Sequence, residues 1–192
     1  MVAHFRDWVG DAHAIDFKLD SGEFAGALTH RDGGHAVDED RVWPLLDGFF
    51  ATEMSRQTLV PGAADALRRI GAVADIVILT NIGEDNHAGR VAQLEALGVR
   101  HRVRCNRGGK GPPALELIEE FRPTVTAFVD DLAVHHASMA RHAPAVWRLH
   151  MVAEPELAPN VAPAAHAHAR IDDWDTAADW ICARFDEGLA PA

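Results

Sequence analysis

The sequence contains few of the residues that mark disulfide-rich, metal-thiolate or membrane proteins. Its two cysteines, Cys105 and Cys182, are too far apart for a CxxC motif, so neither a zinc ribbon nor a redox pair is indicated. No apolar run approaches the roughly 20 residues of a membrane span, and no secretory hydrophobic region follows Met1. We therefore expect a protein of the reducing cytoplasm that has no membrane partner.

Positive charge is also scarce. Lysine and arginine together number 18 against 29 acidic residues, which gives a formal net charge of −11. Nucleic acids and anionic lipid surfaces bind basic faces, so neither is expected as a partner of this chain. The 192 residues, 48% of them hydrophobic, suffice for one buried core with a small appended unit. We expect a monomer or homodimer that acts on a small molecule.

Short apolar runs alternate with segments of helical periodicity from residue 61 to residue 192. This order is typical of βαβ units and predicts an α/β fold with a parallel sheet. The predicted strands are 75–80, 101–105, 125–129, 145–151 and 169–171, and the predicted helices are 63–70, 88–97, 112–121, 132–142 and 174–185. Residues 1–60 instead scatter aromatic and leucine residues among acidic and glycine-rich turns, which predicts a small helical unit beside this core.

Polar residues follow two of the predicted strands at the points where they end. One strand leads into Thr80 and Asn81, another leads into Asp130 and Asp131, and Lys110 lies between them in a glycine-rich turn. Ligands of open α/β sheets bind outside the carboxyl ends of the strands. The sequence therefore predicts that these five side chains line one crevice.

This set of groups suits a phosphate and a divalent cation. Magnesium prefers hard oxygen ligands and takes only one or two protein carboxylates, so Asp130 and Asp131 are the candidate metal ligands. Thr80 and the backbone at Asn81 can bind phosphoryl oxygens, and the Lys110 ammonium can neutralise their charge. Plainer interpretations remain open for each residue: a helix N-cap for Asp131, a solvated Asp130, a simple turn at 80–81 and an exposed lysine.

The spacing of these residues resembles the haloacid dehalogenase-like (HAD) hydrolases. Lys110 follows Thr80 by 30 residues, and Asp130 follows Lys110 by 20. The segments that carry the resemblance are Leu79-Thr80-Asn81, Gly108-Gly109-Lys110-Gly111 and Phe128-Val129-Asp130-Asp131. The resemblance implies a Rossmann-like core over residues 60–185 and a helical cap over residues 5–57.

The same resemblance implies an activity. It makes Thr80 and Lys110 catalytic residues that bind the phosphoryl group, with Asn81 beside them in substrate binding. It makes Asp130 and Asp131 the ligands of Mg²⁺. The implied function is a magnesium-dependent phosphatase of a small phosphorylated metabolite; carbon-halogen hydrolysis, also known in the family, fits the acidic pair and the lysine less well.

The chain departs from the family at its first motif. Family members begin with an apolar strand that ends in Asp-x-Asp, whose first carboxylate attacks phosphorus and whose second acts as acid and base. Asp38-Glu39-Asp40 is a predicted helix start, and Asp173-Trp174-Asp175 lies on the wrong side of the acidic pair. In the family this strand lies between the strands that here end in Thr80 and Asp130. Its loss would leave both with unpaired backbone groups.

Three other interpretations compete with an active hydrolase. A catalytically inert protein could bind phosphate or magnesium in the same crevice. A receiver-like phosphoacceptor domain is disfavoured because its acidic pair precedes the threonine and the lysine. A histidine metal site is also disfavoured, because its candidate ligands are split between two elements and no cysteine joins them; these candidates are His135, His136, His142 and His150. Cap residues that could contact a substrate are His30, Arg31 and Arg56.

We expect the chain to be an amino-truncated form of an active phosphohydrolase, because the stretch that begins at Met1 resembles the entry into a cap. Sequencing of the gene upstream of Met1 should then reveal in-frame codons for an apolar run ending in Asp-x-Asp. Upstream codons without such a run would contradict this expectation and favour the inert binding protein.

Overall fold

The computed structural model describes residues 1–18 and 26–191. Residues 61–191 alternate strands and helices as predicted, and the boundaries of these elements differ from the predicted ones by a few residues. The strands are β3 (Val77–Thr80), β4 (Arg102–Cys105), β5 (Ala127–Asp130), β6 (Trp147–His150) and β7 (Ala169–Arg170). The helices are α3 (Ala63–Gly71), α4 (His87–Ala96), α5 (Gly111–Phe121), α6 (Ala133–His142) and α7 (Trp174–Glu187).

Local sequence signals account for the helix boundaries. Pro112 and Pro113 occupy the first turn of α5, where a missing N–H costs no helical hydrogen bond. Asp173 caps α7 by accepting a hydrogen bond from the Thr176 N–H at 2.8 Å. Asp38 precedes the first residue of the helix that begins at Glu39. The prediction that Asp38-Glu39-Asp40 starts a helix is therefore confirmed.

The parallel strands form two separate sheets. β3 pairs with β4 in parallel, and β5, β6 and β7 pair in parallel in that order. No described strand pairs with the facing edges of β3 and β5. Among the described residues, the parallel strands thus lie in two sheets and not in one. All four residues of β3 are only half-buried, whereas three of the four residues of β6, which has a neighbour on both sides, are buried.

An apolar groove of about 410 Å³ separates the two sheets. Its walls include Val77 and Leu79 from β3 and Ala127 and Phe128 from β5. Helix α5 covers it with Ala114, Leu117, Ile118 and Phe121. The groove lies along the amino-terminal parts of β3 and β5, and Thr80 and Asp130 lie at the carboxyl ends of the same two strands.

The N-terminal unit contains helices α1 (Val2–His13) and α2 (Glu39–Glu53), but it is not purely helical as predicted. Strands β1 (Ile15–Phe17) and β2 (Leu28–His30) form an antiparallel pair within it. Three residues of alternating polarity are too few to be distinguished from a turn in the sequence. The aromatic rings of this unit pack around Phe5 and Phe49, both fully buried.

The core of the N-terminal unit continues into the α/β part of the chain. Ile82, after β3, and Cys105, at the end of β4, belong to the same buried cluster as Phe49 and Phe50. The unit therefore packs against the carboxyl ends of β3 and β4. Among the described residues, no helix has both the length and the apolar character needed to cross a bilayer.

Candidate active site

The glycine-rich turn before α5 brings Lys110 against α6. A Cβ atom on Gly109 or on Gly111 would collide with Ser138, so neither position has room for a side chain. The Gly111 N–H donates to Ser138 Oγ at 3.0 Å and ties the start of α5 to α6. The glycines therefore permit a close approach of backbone to helix, and this approach carries Lys110 to the carboxyl end of β5.

Lys110 forms a buried ion pair with the first member of the acidic pair. Its Nζ donates to Asp130 Oδ2 at 2.6 Å, and the two side chains are 14% and 2% exposed. Asp130 Oδ1 accepts a hydrogen bond from the Leu132 N–H at 2.9 Å. Both oxygens of Asp130 are thus held by protein donors. Removing one partner of such a pair costs about 3–5 kcal/mol, so neutralising Asp130 would perturb folding as well as binding.

Asp131 has a different environment. It is half-buried, and its carboxylate has no hydrogen-bond or ion-pair partner in another described residue. Burial first, and the negative charge of Asp130 second, raise the pKa of Asp131 from 3.8 to about 7. One ammonium group therefore lies beside two adjacent carboxylates. When both carboxylates are ionised, the site carries more negative than positive charge.

Thr80 and Asn81 reach the turn that carries Lys110. The Thr80 carbonyl accepts a hydrogen bond from the Asn106 N–H at 2.9 Å, while the Thr80 hydroxyl has no partner among the described residues. Asn81 Nδ2 donates to the Gly108 carbonyl at 2.9 Å, and Asn81 Oδ1 accepts from Asn106 Nδ2 at 3.0 Å. The side chain of Asn81 is thus engaged in holding the turn, and the Thr80 hydroxyl remains available to a ligand.

The contacts confirm that the three predicted segments meet. Asn81 binds the turn that ends in Lys110, Lys110 binds Asp130, and Asn81 Nδ2 lies 3.4 Å from Nε2 of His135 on α6. The chemical roles assigned to these residues remain predictions.

The candidate substrate residues of the N-terminal unit make contacts within that unit. Arg31 donates to Asp16 at 2.8 Å, and Arg56 donates to Glu53 at 2.8 Å. His30 lies at the exposed end of β2. None of the three has a contact with Lys110 or the acidic pair in the described part of the chain.

A different arginine joins the two parts of the protein beside the site. Arg107, three residues before Lys110, donates to both oxygens of Asp47 on α2, at 2.9 and 3.1 Å. Its guanidinium also lies 4.8 Å from the centre of the Trp43 ring. The sequence does not predict this contact, because Arg107 and Asp47 are 60 residues apart and no local pattern links them.

The histidine alternative is not supported. Within residues 1–18 and 26–191, no group of three His, Cys, Asp or Glu side chains has metal-binding geometry. His142 Nδ1 instead donates to the Ser138 carbonyl, and His136 and His150 contact backbone carbonyls. Burial lowers the pKa of His136 and of His150, so both rings are neutral at pH 7.

The acidic pair fits magnesium in the number and kind of its ligands. Magnesium is bound by one or two protein carboxylates and takes its other ligands from water and phosphate. Asp131 offers a carboxylate without a competing partner, whereas Lys110 already holds one oxygen of Asp130. The residues present therefore fit a partly hydrated ion centred on Asp131.

The fold resembles that of solved HAD-like proteins. A haloacid dehalogenase-like family hydrolase from Xanthomonas campestris has a TM-score of 0.52 and 12% sequence identity, and the match covers 79% of this chain and 66% of that chain. A candidate haloacid dehalogenase-like hydrolase from Burkholderia xenovorans LB400 has a TM-score of 0.48 and 17% identity, over 73% of this chain and 66% of that chain. No protein-family model and no curated protein matches the sequence.

The similarity to the Xanthomonas protein confirms the predicted fold class, an α/β fold of the HAD type with parallel strands. The chain spans slightly less than two thirds of the length of each of these solved proteins.

The raised pKa of Asp131 predicts a pH-dependent gain in stability for Asp131→Asn. The folded chain binds the Asp131 proton up to about pH 7, whereas an unfolded aspartate releases it near pH 4. The contribution of this group to the free energy of unfolding therefore falls as the pH rises from about 4 to 7. In EDTA, the variant should exceed the original chain by about 1–3 kcal/mol at pH 8 and by almost nothing at pH 4.

Urea unfolding at the two pH values measures this difference. Asp186→Asn, an exposed position on α7 with the same change of charge, serves as the control and should show no comparable pH-dependent gain. A variant that is equally or less stable than the original chain at pH 8 would show that Asp131 is not strained by its surroundings.

Proposed function

We propose that this site belongs to a magnesium-dependent hydrolase of the HAD superfamily that acts on small phosphate esters. The observation that carries the proposal is the cluster of charges at the carboxyl end of β5. A buried Lys110–Asp130 pair lies there beside an Asp131 whose carboxylate has no partner in another described residue. A metal-bound phosphate requires an ammonium that binds the anion next to a carboxylate that binds the cation, and Lys110 and Asp131 are such a pair.

Each residue then has a distinct role. The Thr80 hydroxyl, which has no partner among the described residues, donates to a phosphoryl oxygen, and the Lys110 ammonium neutralises the charge that develops on the transferred group. Asn81 acts indirectly, because its amide holds the 106–109 turn and so positions Lys110. The Asp131 carboxylate, together with one oxygen of Asp130, would hold the ion. Bound magnesium supplies Lewis-acid stabilisation of phosphoryl charge.

The attacking carboxylate is the part that the described residues do not bring to this cluster. We propose that it is carried by a strand that occupies the groove between β3 and β5. One edge of each strand lacks a partner in the described chain, and most of the residues that line the groove are apolar. A parallel strand of about four residues, roughly 13 Å long, would match the lengths of β3 and β5 and would end between Thr80 and Asp130.

Binding is the first test, because it needs only residues that the structure describes. Calorimetric titration of the chain with magnesium, and then with inorganic phosphate, should show phosphate binding that requires the ion. Asp131→Asn should abolish magnesium binding without loss of folding, whereas Asp186→Asn should leave it unchanged. Thr80→Val should weaken phosphate binding by about tenfold, because it removes a hydrogen bond to a charged group. The exposed Thr58 provides a matched Thr→Val control.

Magnesium binding that survives Asp131→Asn would contradict the assignment of the metal site. Phosphate binding that is independent of magnesium would contradict the proposed chemistry.

Catalysis is tested separately by supplying the proposed strand as a peptide. The chain alone, given magnesium and an aryl phosphate, should bind without turnover. A peptide of valine and isoleucine residues that ends in Asp-x-Asp should bind the groove, protect the amides of β3 and β5 from hydrogen exchange and restore phosphate release. The same peptide ending in Asn-x-Asn should give the protection without turnover. A central proline, which cannot pair on both sides, should abolish both effects.

Turnover by the chain alone would contradict the groove-borne nucleophile. Protection of β3 and β5 by the Asp-x-Asp peptide without turnover would instead favour the inert binding protein, which uses the same crevice without catalysis.

A further inference from the structure

Two fully buried histidines lie behind the acidic pair. His136 on α6 and His150 at the end of β6 are both 0% exposed, and their rings meet edge to face with centroids 5.4 Å apart. His150 is the register partner of Asp130 in the parallel pairing of β5 and β6. Neither ring contacts the Asp130 or Asp131 carboxylate, so neither belongs to the proposed metal or phosphate ligands.

Each ring binds the backbone of one member of the acidic pair. His136 Nε2 lies 3.0 Å from the Asp130 carbonyl oxygen, and His150 Nε2 lies 2.9 Å from the Asp131 carbonyl oxygen. A carbonyl only accepts, so both Nε2 atoms carry the proton. For His150 this tautomer is also fixed from the other side, because Nδ1 accepts the Ala164 N–H at 3.0 Å.

The peptide unit between Asp131 and Leu132 is consequently held at both ends. Its carbonyl accepts from His150, and its N–H donates to Asp130 Oδ1 at 2.9 Å. The preceding carbonyl, that of Asp130, accepts from the Met151 N–H and from His136. The Asp131 carboxylate has no partner in another described residue, so the hydrogen bonds that restrain its direction in the described chain act through this backbone.

Packing does not explain the choice of histidine at position 136. The Asp130 carbonyl already has the Met151 N–H as a partner, so it does not need a second donor. Nδ1 of His136 is buried and has no partner among the described residues, an arrangement that costs stability. A leucine would fill the same space without an unpaired nitrogen.

We propose that His136 and His150 are positioning residues that hold the backbone of Asp130 and Asp131 and so aim the Asp131 carboxylate at the cation. This inference rests on the proposed function, because it assigns the two rings to the same magnesium site. Groups behind metal ligands commonly change metal affinity by 10- to 100-fold when they are removed, and we expect the same range here.

The test compares His136→Leu with His136→Gln in the full chain. The leucine variant should keep or raise the melting temperature but weaken magnesium binding by at least tenfold. It should also speed hydrogen exchange of the Leu132 amide in the metal-free chain. The glutamine variant, whose amide can donate near the position of Nε2, should recover most of the affinity. His166→Leu, at an exposed position, is the matched control.

A His136→Leu chain with unchanged magnesium affinity and unchanged Leu132 exchange would overturn the inference, as would a lower melting temperature with unchanged affinity. If His136→Leu does not fold, variants of His150 provide a second measurement. His150→Gln keeps a donor for the Asp131 carbonyl and should retain more magnesium affinity than His150→Leu. Equal magnesium affinities of these two variants would count against a positioning role. If the original chain binds no magnesium, the proposed function fails. Leu132 exchange then decides the inference alone, and unchanged exchange rejects it.

Discussion

The buried ion pair between Lys110 and Asp130 is the contact on which the geometry of the site depends. It joins the turn before α5 to the end of β5 across a 2.6 Å hydrogen bond, in a place almost closed to water. Because an ion pair in such surroundings is costly to break from one side, it fixes where the ammonium lies. Its effect also extends to Asp131, since the single positive charge is already committed to the neighbouring carboxylate. The excess of negative charge at the site follows from this arrangement.

The division of the sheet into two parts is the second constraint. In a continuous parallel sheet both faces and both edges of an inner strand are covered, and such strands consist of apolar residues. β3 has the composition of an inner strand, but among the described strands it has a neighbour on one side only, and it stays half-buried along its length. The groove and the charged crevice therefore share the same two strands, so a strand that ran parallel to both along their whole length would end at the crevice. The same two strands, β3 and β5, therefore determine both where the sheet is divided and where the charged side chains meet.

Much of this could be predicted from the sequence, and the exceptions have physical causes. Helix and strand order in residues 61–192 followed from periodicity and from turn residues such as Pro112, because these signals are local. The meeting of Asn81, Lys110 and Asp130 followed from the rule that strand ends converge in parallel sheets. The β1–β2 pair was missed because three residues are too few to show an alternation. The contact of Arg107 with α2 and the roles of the buried histidines depend on how distant segments pack, and no local pattern encodes that packing.

Two features near the end of β5 lower the stability of the folded chain. An aspartate whose charged form is disfavoured by burial and a histidine nitrogen with no partner in the described chain both lie within a few residues of Asp130. Ordinary packing would remove either with an apolar or amide side chain of similar size. Such costs collected at one place indicate a requirement other than folding, because a functional site holds charges and donors where a ligand, and not the protein, will satisfy them. A cation is the ligand that we propose there, because the Asp131 carboxylate has no partner in another described residue.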